Sequence, residues 1–195
     1  MTTDWDQCYR EGTTPWDRGE PSPPLRQWLE NHPHVGKVIV PGCGRGHDVA
    51  LIAAMGGDPV GLDISEEAIR LAKATHPALA ERFIQGDLFQ IPPAMEGAFD
   101  ALIEHTCLSG LPPHLRPAYA AACCKLIKPG GRIIGVWFIH PDLDPGETGP
   151  PFPLPLDELD QMFDSGFEIV EDYVPDVAFE GREGRERLRV LRKTA

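Results

Sequence analysis

Residues 38–48 read VIVPGCGRGHD, an apolar run that leads into glycines at positions 42, 44 and 46. The run predicts a buried strand. The glycines predict a tight turn where the backbone comes close to a ligand, because glycine has no Cβ. A second apolar run ends at Asp63, 21 residues after Gly42. A carboxylate at about this distance, at the end of the next strand, is placed to accept hydrogen bonds from a ribose diol.

The spacing of the glycines separates two kinds of cofactor. A dinucleotide-binding fingerprint reads G-x-G-x-x-G, and the helix that follows it faces a pyrophosphate. Here the third glycine is Gly46 and position 47 is histidine, so the pattern is G-x-G-x-G. S-adenosylmethionine carries a ribose but no phosphate, so we predict S-adenosylmethionine as the cofactor.

The composition predicts one globular domain over residues 1–195. With 195 residues, of which 42% are hydrophobic, the chain is long enough to bury a core. No apolar run reaches the 18 or so residues of a membrane span, and residues 1–10 lack a signal-peptide pattern. The five cysteines include no C-x-x-C pair, which favours reduced thiols in the cytoplasm and no metal site. The net charge of −12 argues against a nucleic-acid partner, and we expect a monomer.

Strands that alternate with helices predict an α/β fold. The predicted strands are 37–41, 59–63, 83–85, 99–104, 132–139, 167–174 and 186–193, and the predicted helices are 25–32, 47–55, one that begins after Ser65, 114–128 and 156–165. We predict a Rossmann-like, doubly wound, mostly parallel sheet of seven strands. No helix links the last two strands, so these are expected to pair antiparallel.

The remaining segments are assigned from their composition. Residues 1–24 are rich in proline and predict an ordered but irregular arm, and 141–155 predict a loop. The arginines of the last strand and the segment before it are interpreted as a solvated edge strand protected by charge; they are Arg182, Arg185, Arg187, Arg189 and Arg192.

Several stretches resemble one family of methyltransferases. Residues 5–9 read WDQCY, 14–19 TPWDRG, 41–48 PGCGRGHD, 61–65 GLDIS, 86–89 GDLF, 126–131 LIKPGG and 149–152 GPPF. These stretches are similar to motifs of the class I S-adenosylmethionine-dependent methyltransferases. Within that class they most resemble the branch of thiopurine S-methyltransferases and plant thiol and halide methyltransferases. The resemblance runs in order from residue 5 to about residue 155.

The resemblance implies roles around the cofactor. Gly42 and Gly44 would let the backbone approach its methionine part, and Asp63 would hold the ribose hydroxyls. Asp87 would face the adenine amino group, with Leu88 against the ring. Each of these residues lies at or just after the predicted carboxyl end of a strand, where open α/β sheets bind their ligands.

The resemblance also implies a role for the arm, and the predicted sheet edge indicates one candidate histidine. Residues 1–34 would form an arm and helix that close over the cofactor, with Trp5, Tyr9 and Trp16 facing it. An aromatic ring near a cationic sulfur gains cation–π attraction of about 0.5–2 kcal/mol. His105 follows a strand at the same edge, so it is a candidate to donate a hydrogen bond to the cofactor or to act as a general base.

The predicted reaction is methyl transfer to a small thiol, thiopurine or halide acceptor by in-line displacement. A thiolate or halide needs no base, so catalysis would depend on positioning and on the exclusion of water. The alternatives are a small-molecule O- or N-methyltransferase, in which His105 would be the base, and a non-catalytic protein that binds S-adenosylmethionine. A nucleic-acid methyltransferase is disfavoured by the acidic charge.

Overall fold

The computed structural model describes residues 3–144 and 146–194. Seven strands form its central sheet: β1 (Lys37–Pro41), β2 (Asp58–Asp63), β3 (Phe83–Gln85), β4 (Phe99–His105), β5 (Ile127–Phe138), β6 (Phe167–Tyr173) and β7 (Glu186–Lys193). Their order in the sheet is β3-β2-β1-β4-β5-β7-β6. The first five strands pair in parallel, and β7 runs antiparallel between β5 and β6. The predicted Rossmann-like sheet with an antiparallel carboxy-terminal pair is confirmed.

Six helices accompany the sheet in the described residues: α1 (Trp5–Glu11), α2 (Pro23–Asn31), α3 (His47–Ala54), α4 (Glu66–Thr75), α5 (Arg116–Leu126) and α6 (Leu156–Met162). Side chains of β1 alternate between the two faces of the sheet. Val38 and Val40 pack with α2, α3 and α4 in one buried cluster. Ile39 packs in a second cluster with α5 and α6. Both faces of the sheet are therefore covered, and none of the described helices is long and apolar enough to cross a membrane.

The amino-terminal segment is more regular than predicted. Residues 5–11 form helix α1. Asp4 caps its start, where the Asp4 side chain accepts a hydrogen bond from Gln7 N, and Gly12 caps its end in the left-handed conformation. The prediction of an irregular arm is wrong for these residues. Because α1 is one short helix with only Tyr9 buried, it depends on contacts with the rest of the fold rather than on its own sequence.

Two further differences concern the carboxy-terminal half. Strand β5 begins at Ile127, five residues before the prediction, and its register against β4 shifts between Phe99 and Ala101 to accommodate residues 128–131. Strand β7 is not an edge strand, because β6 covers its outer side. The predicted loop has no helix or strand in 141–144 and 146–155; Pro145 lies outside the described residues.

Candidate active site

A cavity of about 400 Å³ opens at the carboxyl ends of the parallel strands. Of the predicted site residues, those that line it are Trp5, Tyr9, Trp16, Gly42, Asp63, Asp87 and Leu88. Gly44 and His105 are not part of the wall. The structure therefore brings together residues from the arm, the glycine turn and the ends of β2 and β3.

The carboxylate of Asp63 ends β2 at the cavity and is held by two backbone amides. Its Oδ2 accepts a hydrogen bond from Gly44 N at 2.9 Å, and its Oδ1 accepts one from Ser65 N at 2.9 Å. Only 7% of the residue is exposed. Burial raises the pKa of Asp63, while the amides of Ser65 and Gly44 act in the opposite direction. Each oxygen has a second acceptor position, so the carboxylate fits a ribose diol.

The glycine turn depends on contacts that a side chain would prevent. Gly42, Gly44 and Gly46 have φ of 60°, 51° and 81°, in the left-handed region. A Cβ on Gly44 would lie 2.7 Å from Tyr9 Oη, and one on Gly46 would collide with the ring of Phe83. Gly44 thus serves the site by donating to Asp63 and by leaving room for Tyr9.

Asp87 has two functions in the structure. Its Oδ1 accepts a hydrogen bond from Phe89 N at 2.8 Å and its Oδ2 one from Gln90 Nε2 at 2.8 Å, so it caps the short 3-10 turn Leu88–Gln90. It also lines the cavity, together with Leu88 and Phe89. This end of the cavity offers an apolar surface beside a carboxylate, which suits a purine ring with an exocyclic amino group.

Three aromatic side chains of the arm pack on one another over the cavity. The rings of Trp5 and Trp16 lie edge to face with centroids 5.2 Å apart, and those of Tyr9 and Trp16 with centroids 5.9 Å apart. Trp16 Nε1 donates to Tyr9 Oη at 3.1 Å. Burial raises the pKa of Tyr9, so its phenol stays neutral. The cluster forms an aromatic wall of the cavity, a surface that attracts cationic groups.

Carboxylates anchor the arm to the start of α4 and to the glycine turn. Asp6 accepts hydrogen bonds from Ser65 Oγ at 2.8 Å and Glu67 N at 2.9 Å, at the start of α4. Asp17 forms ion pairs with Arg45 Nε at 2.8 Å and His47 Nε2 at 3.3 Å, on the glycine turn. The sequence analysis missed both anchors, although Asp6 and Asp17 lie inside the quoted motifs.

His105 does not face the cavity. Its Nδ1 donates to Asp48 Oδ2 at 2.8 Å, and its ring stacks on Phe179 with centroids 6.1 Å apart. The next residue, Thr106, has φ of 65° and turns the chain back toward the cavity. The imidazole is buried behind the wall, so the geometry gives no support to its predicted contact with the cofactor or with an acceptor proton.

Three arginines line the cavity: Arg18 from the arm, and Arg182 and Arg185 from the turn before β7. Arg182 is 6% exposed, and its guanidinium carbon lies 4.8 Å from the ring centroid of Phe138. Arg185 pairs with Asp142. The interpretation of this segment as a solvated charged edge is wrong, because β6 covers β7 and the turn folds against the cavity.

A buried glutamate supports a turn that forms part of the cavity wall. Glu104, 1% exposed, accepts hydrogen bonds from Cys107 N at 3.0 Å and Leu108 N at 3.2 Å, and also from Tyr119 Oη. It thereby fixes the 3-10 turn Leu108–Gly110, of which Ser109 and Gly110 line the cavity. Sequence reasoning did not single it out, because an acidic residue inside a strand carries no local sign of burial.

Comparison with known proteins identifies the family. A sequence model of the family described as Thiopurine S-methyltransferase (TPMT) matches residues 1–193. The chain belongs to the thiopurine S-methyltransferase family. It is an S-adenosylmethionine-dependent methyltransferase, as the sequence predicted, and the paired acceptor positions of Asp63 and the aromatic wall fit that cofactor.

Relatives in this family cover most of the chain. A probable thiol methyltransferase 2 of Arabidopsis thaliana is 32% identical over an alignment of 198 positions, which covers 98% of this chain and 85% of that protein. A thiocyanate methyltransferase 1 of Brassica oleracea is 31% identical over 94% of this chain and 82% of that protein. A thiopurine S-methyltransferase of Legionella pneumophila is 29% identical over 67% of this chain and 66% of that protein.

Solved structures share the fold of this family member. One, from a study of the conversion of a disulfide bond into a thioacetal group during echinomycin biosynthesis, has a TM-score of 0.79 and 24% identity, covering 97% of this chain and 92% of that one. The 1,6-didemethyltoxoflavin-N1-methyltransferase of Burkholderia thailandensis has a TM-score of 0.76 and 22% identity, covering 98% of this chain and 86% of that one.

Proposed function

We propose that this methyltransferase acts on a small acceptor that arrives as an anion: a thiolate, such as a small thiol or thiopurine, or a halide. One observation carries the proposal. The described residues that line the cavity include three arginines but no histidine, lysine or glutamate. An acceptor that already carries negative charge needs cationic hydrogen-bond donors rather than a base. The relatives named as thiol, thiocyanate and thiopurine methyltransferases support this acceptor class.

The carboxylates of the cavity have other partners. Asp63 and Asp87 accept hydrogen bonds from backbone amides, and Asp142 pairs with Arg185. Tyr9 is a neutral phenol, since burial raises its pKa. His105, the base that O- or N-methyl transfer would need, points to Asp48 instead. No observation therefore favours O- or N-methyl transfer.

The residues of the chain contribute positioning, charge and the exclusion of water. When bound, S-adenosylmethionine supplies a methyl group on a cationic sulfur, and transfer to the acceptor leaves S-adenosylhomocysteine with no proton to move. Arg18, Arg182 and Arg185 would hold the anion, and Phe138 would form an apolar wall beside it. Fixing two reactants in line is worth up to about 7–11 kcal/mol of the barrier.

A loop completes the acceptor end of the cavity. Pro150 and Pro151 line it, and Phe152 N donates to Ser109 O at 2.6 Å, which ties the loop to the turn after β4. Residues 1–34 would act as the arm that closes the other side, within a single domain over 1–195. We further infer a monomer in the cytoplasm with no nucleic-acid partner, in line with five free thiols and a net charge of −12.

The proposal is tested by measuring S-adenosylhomocysteine release with iodide, hydrogen sulfide, a small thiol, a thiopurine, a catechol and an amine. We expect turnover with sulfur or halide acceptors only. Arg182→Gln should raise the KM for these acceptors by about tenfold or more, because hydrogen bonds to charged groups are worth about 1.5–3 kcal/mol.

Arg192→Gln is the matched control, since Arg192 lies near the far end of β7 and pairs with Glu168. The control should leave every KM unchanged. Turnover confined to the catechol or the amine, or an Arg182 variant with unchanged KM values, would overturn the proposed acceptor class.

A further inference from the structure

Four buried side chains form what we call the charge chain: Asp48, His105, Glu186 and Arg182. The first three lie behind the cavity wall, and Arg182 lines the cavity. They come from α3, the end of β4, the start of β7 and the turn before β7. All four are largely or fully buried. Their charges alternate when His105 is protonated. Such an arrangement is costly to bury unless each charge has an opposite neighbour.

Asp48, at one end of the charge chain, binds the arm. Asp48 Oδ1 accepts a hydrogen bond from the backbone amide of Ser22 at 2.8 Å, while its Oδ2 accepts from His105 Nδ1 at 2.8 Å. Ser22 is fully buried and caps α2, the helix that follows the arm aromatics. Burial alone would raise the pKa of Asp48, but His105 and Ser22 bring it below its ordinary value. Asp48 is therefore an ionised junction between the arm and β4.

Arg182, at the other end of the charge chain, lies at the cavity. Arg182 Nη1 donates to Glu186 Oε1 at 3.2 Å, and Arg182 itself lines the cavity. Glu186 is 2% exposed, and its Oε2 has no hydrogen-bond partner in residues 3–144 and 146–194. The arm residue Arg18 adds a further positive charge that acts on Glu186. Glu186 therefore pairs with the cavity arginine, and no hydrogen bond or ion pair joins it to His105 in the part of the chain that the structure describes.

The groups that face His105 come from every element around it. Asp48 on α3, Glu186 on β7 and Arg182 on the preceding turn act on its charge, and Phe179 stacks on its ring. Burial and the positive charge of Arg182 oppose protonation of the imidazole. The carboxylates of Asp48 and Glu186 outweigh both effects, so the pKa of His105 is raised. Loss of the proton would leave the buried carboxylate of Asp48 without its cationic neighbour.

We propose that His105 is a positioning residue: through Asp48, which also accepts a hydrogen bond from the backbone amide of Ser22, it holds the arm closed over the cofactor. His105 therefore influences the binding of the cofactor without lining the cavity.

Two substitutions test this role. His105→Asn keeps a donor for Asp48 but carries no charge, and His105→Phe keeps only the stacking on Phe179. We expect His105→Phe to weaken S-adenosylhomocysteine binding by about tenfold in calorimetry, while His105→Asn stays within about threefold of the natural protein. In each variant, the KM values for iodide and for a thiol should change by the same factor. His114→Asn, at an exposed position, is the control and should change nothing.

The outcomes discriminate among roles. If His105 were a general base, its substitution would leave iodide turnover intact, because iodide has no proton. Loss of activity with the thiol alone would therefore overturn the proposal. Unchanged binding of S-adenosylhomocysteine in His105→Phe, or binding in His105→Asn as weak as in His105→Phe, would overturn the proposal. Failure of the natural protein to use iodide or thiols would remove the proposed acceptor class but leave the calorimetric test in place.

Discussion

The backbone amide of Gly44 donates to Oδ2 of Asp63 at 2.9 Å, which ties the turn after β1 to the end of β2. The glycine turn and the acidic residue are therefore one unit rather than two separate ligand contacts. Ser65 N fixes the second oxygen of the same carboxylate. Each oxygen keeps one further acceptor position. The carboxylate can therefore accept hydrogen bonds from two more donors, such as the two hydroxyls of a ribose diol.

Asp63→Asn should reduce the affinity for S-adenosylhomocysteine by about 10- to 100-fold. The substitution removes hydrogen bonds to a charged group, each worth about 1.5–3 kcal/mol, and places an amide donor against Gly44 N or Ser65 N. Calorimetric titration measures the effect. Asp58→Asn, at the other end of β2, is the matched control and should bind normally. An Asp63 variant with the affinity of the natural protein would rule out this carboxylate as the ribose ligand.

Gly44→Ala should destabilise the closed arm through Tyr9. The new Cβ would lie 2.7 Å from Tyr9 Oη and would also occupy a left-handed backbone, which costs about 1–2 kcal/mol. Gly56→Ala is the control for the backbone term, since Gly56 has φ of 84° and no atom within 4 Å of its Cβ position.

The contact is isolated by a double-mutant cycle in urea denaturation. Tyr9→Phe removes the hydroxyl oxygen that the Cβ would approach, so the combined variant should be more stable than the two single changes predict. Strict additivity would show that Gly44 is required for its backbone conformation alone.

Asp17→Asn should increase the rate at which the cofactor dissociates, with little effect on the free energy of unfolding. The substitution weakens the ion pairs with Arg45 and His47 that hold the arm on the glycine turn. The His47 imidazole, more than the other partners of the carboxylate, lowers the pKa of Asp17. Stopped-flow tryptophan fluorescence should show S-adenosylhomocysteine dissociating several-fold faster, by analogy with pair energies of about 1 kcal/mol. Asp157→Asn, exposed on α6, should leave the rate unchanged; an equal increase there would indicate a general charge effect.

The stability of the protein should depend on pH through His105. The folded pKa of His105 is raised, so its contribution is fully present below the ordinary value of about 6.5 and is lost as pH rises through the folded pKa. His76 acts in the opposite direction, because burial lowers its pKa. The test is therefore the difference in unfolding free energy between the natural protein and His105→Asn from pH 6 to pH 9. We expect this difference to shrink as pH rises, and a constant difference would contradict it.

The sequence predicted the sheet well where its signals are local. The bounds of β1, β3 and β7 match the prediction, since apolar runs bounded by glycine, proline or charged residues mark them clearly. Helix α1 was missed because prolines at 15, 21, 23 and 24 dominate its neighbourhood and only one of its residues is buried. Its two end signals, Asp4 and Gly12, were present in the sequence.

The sequence placed residues at the cavity where a motif fixes both the residue and its direction. Asp63 and Asp87 follow strand ends, so the fold determines where they point. The direction of the His105 side chain depends on its hydrogen bond to Asp48, 57 residues away. The spacing of residues in the sequence does not predict a hydrogen bond between residues so far apart. The arginines before β7 were misassigned because the position of β7 in the sheet is a property of topology and not of its own sequence.

The most direct test of the central claim is a crystal structure with S-adenosylhomocysteine and iodide, in which anomalous scattering locates the halide. We predict iodide beside Arg182 within the cavity, on the side of the cofactor sulfur from which a methyl group leaves, and the ribose diol on Asp63. Iodide bound only outside the cavity, or a ribose that does not reach Asp63, would contradict the account.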